Sequence, residues 1–327
     1  MSANAALARL CEEVNIDVLW HSNHRLYREM FLRMASSAMA TSRIGLGGAV
    51  ADPFAVHPAM TAQSLATLSE FSGGRAMLAL GAGGSGFQMM GIKRSRSATA
   101  LREALLVMKP ILAGEEVTLD GEIIKAHAAR LQFTPDHPIT LWIGTRGYLT
   151  LEMAGRYADA VMIATYATPE GVTGALERVE KGAQSTGRDL ADLRIMSRVD
   201  TCVHHDFRAA YDGTRRMVAG FLWSSYPDRN FVKQAGLKVP RDLEVIIAKR
   251  DYSLVLQATE LVPDEFVEAF CWAGTPEMVA ERIIAVARDT RVEEFGLWLL
   301  LASGQTREEA VQLLASEVLP RIQASLS

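Results

Sequence analysis

A short turn between an apolar run and a helical pattern carries residue types that suit an anion. It follows Ile143 and reads Gly144-Thr145-Arg146-Gly147-Tyr148. Backbone N–H groups point out of a helix amino terminus, and the helix dipole favours a negative charge there. Arg146 would add a charge-assisted contact, and Thr145 would add a hydroxyl donor. The turn therefore predicts a phosphate cradle, and the alternative is a tight turn whose glycines serve only the backbone angles.

A second glycine-rich segment follows another apolar run and reads Gly81-Ala82-Gly83-Gly84-Ser85-Gly86. Because glycine lacks a Cβ, Gly81 and Gly83 would let a flat ring approach the backbone closely. The alternative is a mobile loop. The segment is not a dinucleotide-binding fingerprint, since no helix opens directly behind it.

Polar residues follow the first apolar run, which ends at Trp20 and continues as His21-Ser22-Asn23-His24. Such a cluster at the carboxyl end of a strand is where a polar site would lie. Asn23 would hydrogen-bond a ring carbonyl, and His24 would move a proton. The alternative is a polar loop without chemistry.

The apolar runs that lead into these turns alternate with helical patterns. Ile44–Val50 and Ala76–Leu80 bracket a helix that opens at His57-Pro58 and ends at Ser72-Gly73-Gly74-Arg75. Continuous apolar strands joined through a helix indicate a parallel sheet covered by helices, with its chemistry at the carboxyl ends of the strands. The other predicted strands are Ile16–Trp20, Ile139–Ile143, Ala160–Ala164, Leu193–Val203 and Glu294–Leu301.

This alternation predicts one α/β domain over residues 1–327, a TIM-type (β/α) barrel. Seven strands are one fewer than a closed barrel needs, and the chain opens on a helix at Asn4–Val14. Either the first strand is missing or one strand has not been recognised, and we expect the seam of a seven-stranded barrel to be closed by a terminal segment or a partner chain. A small β excursion is expected at Gly114–Phe133, and a helical insertion at about 223–270, before the last strand.

An ordered set of motifs extends over nearly the whole chain. It includes Val50-Ala51-Asp52-Pro53, His57-Pro58, Ser72-Gly73-Gly74-Arg75, Gly91-Ile92, Leu101-Arg102-Glu103, Ile143-Gly144-Thr145-Arg146-Gly147, Ala158-Asp159-Ala160, Ala273-Gly274-Thr275-Pro276-Glu277 and Val318-Leu319-Pro320. The set resembles the bacterial luciferase-like superfamily. Within it, the chain is most similar to coenzyme F-420-dependent 5,10-methylenetetrahydromethanopterin reductases.

The resemblance implies a homodimeric oxidoreductase that uses F-420, a deazaflavin, to transfer hydride to or from an organic substrate. It implies that the cofactor's phosphate lies at Gly144–Tyr148 and its side chain beside Gly81 and Gly83. It also implies a cis peptide bond between Ala49 and Val50, forming a bulge against the cofactor ring. The reductases usually have Asp where Asn23 stands, and the missing first strand would remove a second acid. The chain is therefore expected to bind F-420 more readily than to reduce the pterin.

Two other functions stay open at this point. One is an FMN-dependent luciferase-like monooxygenase, and the other is a cofactor-binding or non-catalytic accessory relative. Nucleic acid is an unexpected partner, because the net charge is -4 and the pI is near 6.0. No apolar run approaches the ~20 residues of a membrane span, so a cytoplasmic protein is expected.

Neither the cysteines nor the histidines predict a metal site. Cys11, Cys202 and Cys271 are widely spaced and are predicted to be buried thiols in a reducing compartment. Adjacent His204 and His205 would point to opposite faces of a strand, which suits one metal ion poorly.

Overall fold

The structure is a computed structural model that describes residues 2–84, 86–290 and 292–326. Its main sheet has the strand order β1-β2-β3-β6-β7-β8-β10, with β9 paired to β8, and β4 and β5 form a separate antiparallel hairpin. The strands are β1 (Val18–Ser22), β2 (Gly45–Ala51), β3 (Ala76–Leu80), β4 (Val117–Asp120), β5 (Lys125–Ala129), β6 (Leu141–Thr145), β7 (Ala160–Ala164), β8 (Arg194–Val203), β9 (Cys271–Gly274) and β10 (Glu294–Leu299).

Helices follow most of these strands, as a parallel sheet requires. No helix in the described part of the chain is both long and apolar enough to cross a membrane. The helices are α1 (Ser2–Glu13), α2 (Met30–Ala38), α3 (Pro58–Phe71), α4 (Ser97–Leu112), α5 (Tyr148–Tyr157), α6 (Pro169–Gln184), α7 (Phe207–Ser225), α8 (Asn230–Gln234), α9 (Arg241–Ala248), α10 (Val255–Thr259), α11 (Asp264–Phe270), α12 (Pro276–Thr290), α13 (Arg307–Leu313) and α14 (Leu319–Leu326).

The predicted strands are confirmed, two of them, β3 and β7, at their predicted bounds. Parallel pairing joins β1 to β2, β2 to β3, and β3 to β6. The β excursion is the β4–β5 hairpin, and the helical insertion is present as the end of α7 and helices α8 to α11. The predicted count of seven strands was wrong, because it missed β9. This strand has only four residues, starts where α11 ends, and pairs with Asp200–Val203 of β8.

Contacts between Cα atoms divide the chain into two compact units. The first unit comprises Met1–Met162 and Arg178–Arg194, and it contains β1 to β6 and the start of β7. The second comprises Ile163–Glu177 and Ile195–Ser327, with the end of β7 and strands β8 to β10. The prediction of one domain over residues 1–327 stays a prediction.

The first unit begins with α1, and no strand precedes β1 among its described residues. Strand β1 pairs with β2, and β1 is the first strand in the order of the sheet. The expected open edge of the barrel sheet is therefore at β1. How that edge is covered stays a prediction.

A buried histidine connects β1 with the helix that follows it. His21 is 1% exposed; its Nδ1 lies 3.2 Å from the Gly47 carbonyl and its Nε2 lies 2.9 Å from the Ser37 hydroxyl. The Asn4 amide donates to the same hydroxyl at 2.9 Å. The carbonyl can only accept, so Nδ1 carries the proton and Nε2 accepts from Ser37. Burial lowers the pKa of His21 from 6.5 to about 4, because the charged ring would lose its hydration.

A buried carboxylate attaches the β4–β5 hairpin to α4. Glu103 is 1% exposed and accepts the backbone N–H groups of Glu122, Ile123 and Ile124, each at 2.9 Å. A Cβ on Gly121 would lie 2.6 Å from this carboxylate, so the turn of the hairpin needs glycine there. The motif Leu101-Arg102-Glu103 thus has a structural role in this chain.

We predict that His21 makes the stability depend on pH. The pKa of His21 is lower in the folded state than in the unfolded state, so the unfolded state binds more protons as the pH falls below about 6.5. Wild-type protein should lose about 2 kcal/mol of unfolding free energy between about pH 7 and pH 5 through this group. Urea denaturation of His21→Gln should show a smaller pH dependence over this range, and His127→Gln, an exposed histidine on β5, should match the wild type. Equal slopes for wild type and His21→Gln would refute this role.

Candidate functional site

The candidate site lies in the first unit, on the face of the sheet that points away from α2. Helix α2 covers the opposite face, since a Cβ on Gly48 would lie 2.8 Å from the sulfur of Met30. On the uncovered face, Trp20 packs edge-on against Trp142, with their ring centroids 5.9 Å apart. Trp20 also lies over Gly47, where a Cβ would come within 2.3 Å of its ring. These indoles fill the middle of this face, where Trp142 is fully buried and the Arg194 guanidinium lies 5.0 Å from its ring centroid.

Small residues cover the same face at the carboxyl ends of β2, β3 and β6. The peptide bond between Ala49 and Val50 is cis, and the pairing of β2 with β3 shifts register between Ala49 and Ala51. The predicted cis bond and bulge are therefore confirmed. Because of the bulge, Val50 sits against two neighbouring strand ends. A Cβ on Gly81 would lie 2.9 Å from one methyl of Val50, and a Cβ on Gly144 would lie 2.9 Å from the other.

Val50, Gly81 and Gly144, three residues predicted to bind the cofactor, thus lie together. The sequence predicted that Gly81 leaves space for a ring and that Gly144 belongs to a phosphate-binding turn, whereas in the structure Val50 partly fills the space beside both glycines. Ala49, Val50 and Gly144 are half-buried, so solvent reaches part of this end of the face. The indole Nε1 of Trp142 is buried and has no hydrogen-bond acceptor within the described residues, which leaves a donor for water or a ligand.

Asn23 is bound to the backbone of the bulge. Its N–H donates to the Ala49 carbonyl at 3.0 Å, and its side-chain amide donates to the Val50 carbonyl at 3.3 Å. Asn23 therefore binds the carbonyl groups of both residues that the cis peptide bond joins. Asn23 was predicted to hydrogen-bond a ring carbonyl, and its amide nitrogen is already engaged here. His24 follows directly and is exposed.

The predicted strand-to-helix turn is present between β6 and α5. Thr145 ends the strand, Gly147 caps the helix, and α5 begins at Tyr148. The Thr145 hydroxyl accepts the Gly147 N–H at 3.0 Å, so it acts as an acceptor within the turn as well as retaining its own proton. The Tyr148 ring packs under the Arg178 guanidinium, 4.7 Å from its centroid. Thr145, Arg146, Gly147 and Tyr148 are all half-buried.

The sequence reading missed a buried ion pair beside the glycine-rich segment. Arg25, from the loop after β1, pairs with Asp52 at the end of β2, and the two side chains are 7% and 3% exposed. The Arg25 guanidinium lies over the ring of Phe87. From the sequence alone, Asp52 is named only as part of the motif Val50-Ala51-Asp52-Pro53. No local pattern could reveal this pair, because its members are 27 residues apart.

Other polar candidates have structural roles. His57 caps α3 by accepting the Ala59 N–H, and its other ring nitrogen contacts the Lys125 carbonyl at 2.8 Å. All three cysteines are buried, as predicted. Burial raises the pKa of Cys202 to about 11 and raises the pKa of Cys271 as well, so neither is an activated thiolate. The described residues contain no group of three or more His, Cys, Asp or Glu side chains that would hold a metal ion.

Comparison with known proteins identifies the family of this chain. The model of the luciferase-like monooxygenase family matches residues 1–294. The chain belongs to this family. Its membership accounts for the parallel sheet and the covering helices.

The curated relatives within the family include F420-dependent enzymes. A 5,10-methylenetetrahydromethanopterin reductase from Methanolobus tindarius is 29% identical over 321 residues, which are 96% of this chain and 95% of the relative. An F420-dependent glucose-6-phosphate dehydrogenase from Beutenbergia cavernae is 27% identical over 300 residues, 89% of this chain and 82% of the relative. The matches therefore extend over nearly all of both chains.

Solved structures agree with this assignment. The coenzyme F420-dependent tetrahydromethanopterin reductase from Methanopyrus kandleri superimposes with a TM-score of 0.83 at 25% identity, covering 98% of this chain and 95% of that one. An F420-dependent secondary alcohol dehydrogenase reaches a TM-score of 0.81 at 20% identity, covering 97% and 94%, and an EDTA monooxygenase from Chelativorans sp. BNC1 reaches 0.70 at 15%, covering 98% and 87%. The last two likenesses show the fold alone. The luciferase-like α/β-barrel class is confirmed.

We predict that Gly144→Ala displaces the bulge. The new methyl group would meet Val50 at 2.9 Å, closer than side-chain carbons approach one another. The variant should lose about 1 to 3 kcal/mol of unfolding free energy, the usual cost of overpacking. Gly84→Ala is the matched control, because nothing lies within 4 Å of a Cβ at Gly84. Chemical denaturation of the two variants measures the effect, and equal stabilities would show that Val50 does not constrain position 144.

Proposed function

We propose that this chain is an F420-dependent oxidoreductase that transfers hydride to or from a small organic substrate. The observation that carries the proposal is the set of small residues around Val50, which leaves the carboxyl ends of β2, β3 and β6 open on one face. The relatives that match nearly the whole chain include a coenzyme F420-dependent tetrahydromethanopterin reductase, which supports the same conclusion. When bound, the deazaflavin ring supplies the hydride chemistry, and the protein binds and orients it.

The residues present fit such a cofactor. Ala49 and Val50 would support the ring, and Gly81 and Gly83 would lie beside the side chain of the cofactor, where a larger residue would intrude. The turn Gly144–Tyr148 would bind its phosphate. There, Arg146 would contribute charge and the amino end of α5 would contribute its dipole. Burial of the ring against Val50 would keep water away from its reactive face.

Two alternatives use the same site. An FMN-dependent monooxygenase is favoured by the monooxygenases that share the fold, although these are 15% and 20% identical to this chain. A cofactor-binding accessory relative is favoured by the absence of a carboxylate at Asn23. A cytoplasmic location and the lack of nucleic-acid partners stay predictions from composition.

Binding of the two cofactors measured side by side tests the proposed function. Titration of purified protein with F420 and with FMN should give a lower dissociation constant for F420. Tighter binding of FMN would favour the monooxygenase. Binding of neither would contradict both enzymatic functions and favour a non-catalytic protein.

We predict that Arg146→Ala weakens F420 binding about 5- to 150-fold, because it removes a charge-assisted hydrogen bond of about 1 to 3 kcal/mol. Arg156→Ala, in the last turn of the helix α5 that follows this turn, is the control and should leave the dissociation constant unchanged. The cradle is refuted if Arg146→Ala binds F420 as the wild type does.

His24 is our candidate for the proton-transferring residue. Asp52, the carboxylate at the end of β2, is engaged by Arg25, and Asn23 cannot exchange a proton near neutral pH. We predict that His24→Ala lowers turnover of an accepted substrate by about 10²- to 10⁴-fold, the usual loss for a general acid or base. His127→Ala should retain wild-type turnover. Turnover that survives His24→Ala would show that the proton moves by another route.

A homodimer through the early helices is also proposed. The sequence offers the stripe Met30, Met34 and Met39 either as a subunit contact or as part of the chain's own core, and Met30 and Met34 are buried within their own chain. Met39 alone of the three is exposed, and it is joined on α2 and α3 by exposed Leu32, Met60 and Phe71. Such apolar side chains on packed helices are typical of an interface.

Light scattering at micromolar concentration should therefore give the mass of two chains. The double variant Leu32→Ser/Met60→Ser should shift the protein toward one chain. Leu256→Ser, an equally exposed leucine on α10 of the second unit, should not. A wild-type monomer would exclude the dimer.

A further inference from the structure

We propose that Arg25 is a positioning residue that shapes the glycine-rich segment after β3 into its cofactor-binding form. The inference rests on the proposed function and extends it to a residue outside the predicted set. Arg25 acts through the backbone of the segment, and its role follows from three sets of contacts: with Asp52, with two glycines, and with Phe87.

Asp52 is anchored to the backbone by hydrogen bonds that do not involve Arg25. One oxygen of its carboxylate accepts the N–H groups of Phe54 and Ala55 at 3.0 and 2.8 Å, closing the turn after β2. The other oxygen accepts from the Arg25 guanidinium. Both side chains are buried, so the pair is shielded from water and ions that would weaken it. The guanidinium is therefore held at one place by a carboxylate that is itself anchored to the backbone.

Two glycines of the glycine-rich segment, Gly83 and Gly86, lie against the two ends of the Arg25 side chain. A Cβ on Gly86 would be 2.9 Å from the Cβ of Arg25, and a Cβ on Gly83 would be 2.3 Å from its Nη2. Both glycines also have a positive φ, 68° at Gly83 and 91° at Gly86, which other residues rarely adopt. The backbone can approach Arg25 this closely only because two glycines face it. Arg25 therefore acts as a template for the path of the segment.

Phe87 makes the last of these contacts, at the far end of the segment. We call Arg25, Asp52 and Phe87 together the clasp. Its ring is 4% exposed, and the Cζ atom of Arg25 lies 3.6 Å from its centroid, a close cation–π contact. Phe54 packs edge-on against the same ring at 6.1 Å. Arg94 returns from the chain beyond Phe87 and donates to the Gly83 carbonyl at 2.5 Å. The segment is thus contacted by one arginine from the loop after β1 and by a second arginine from the chain that follows the segment.

This clasp matters for binding because a glycine-rich segment is flexible unless something orders it. Glycine loses more conformational freedom on ordering than any other residue, so a segment without the clasp would have to be ordered when the cofactor binds. Arg25 and Asp52 order it in advance, in the folded protein. Loss of the clasp should consequently weaken cofactor binding and loosen the segment even when no cofactor is present.

The test combines hydrogen exchange without ligand and F420 titration, on Arg25→Met and on Asp52→Asn. Asp52→Asn keeps an acceptor for Phe54 and Ala55 while it removes the charge that Arg25 binds. Amides in the peptide that carries Gly83, Gly86 and Phe87 should exchange about tenfold faster or more, and the dissociation constant for F420 should rise about 10- to 100-fold. Exchange in the peptide that covers α12 should stay at the wild-type rate, which separates local loosening from general instability.

Arg28→Met is the matched control, because Arg28 is an exposed arginine of the same loop and stacks on Tyr27. It should leave both readouts unchanged. If either single variant fails to fold, Arg25→Met/Asp52→Asn replaces it, since the double variant leaves no buried charge unpaired. Folded variants whose local exchange and dissociation constant stay within twofold of wild type would overturn the proposal. A wild type that binds no F420 would contradict the proposed function, while the exchange rates would still decide whether Arg25 shapes the segment.

Discussion

Two methyl groups of Val50 occupy the space where any side chain at Gly81 or Gly144 would begin. This contact joins the ends of β2, β3 and β6 and fixes how closely the three strands approach at the site. Asn23 adds the end of β1, because it donates to the carbonyls of both Ala49 and Val50. The face that we assign to the cofactor is the part of the surface at these strand ends that Val50 does not fill. Binding and strand packing therefore depend on the same few atoms.

Much of this fold could be read from the sequence, since buried parallel strands are continuous apolar runs. The β3 strand, Ala76–Leu80, was found at its bounds for that reason. Strand β9 was missed because its four residues directly continue a helical pattern, too short a run to stand out. The site was found only in part. A glycine indicates a position where a Cβ would clash. The sequence does not show whether it would clash with a ligand or with a side chain such as Val50. The Arg25–Asp52 pair forms only when two strand ends are brought side by side.

The carboxylates of the first unit serve its architecture. Glu103 accepts three N–H groups of the hairpin turn, and Asp52 closes a turn and binds Arg25. Glu12 accepts the N–H groups of Ser42, Arg43 and Ile44, and these bonds lower its pKa to about 2. Each of the three accepts hydrogen bonds that hold neighbouring elements of the fold together. For that reason we propose His24, and none of these carboxylates, as the residue that transfers the proton.

The hydrogen bond from the Asn23 amide to the Val50 carbonyl also bears on how this chain differs from the reductases it resembles. An aspartate at position 23 has no hydrogen to offer that carbonyl unless it is protonated, and an ionised carboxylate there would be repelled by the carbonyl oxygen. Exchanging the two residues therefore alters the support of the backbone as well as the supply of an acid. A change at residue 23 therefore requires the backbone of the bulge to adjust, and a change in the bulge requires residue 23 to adjust.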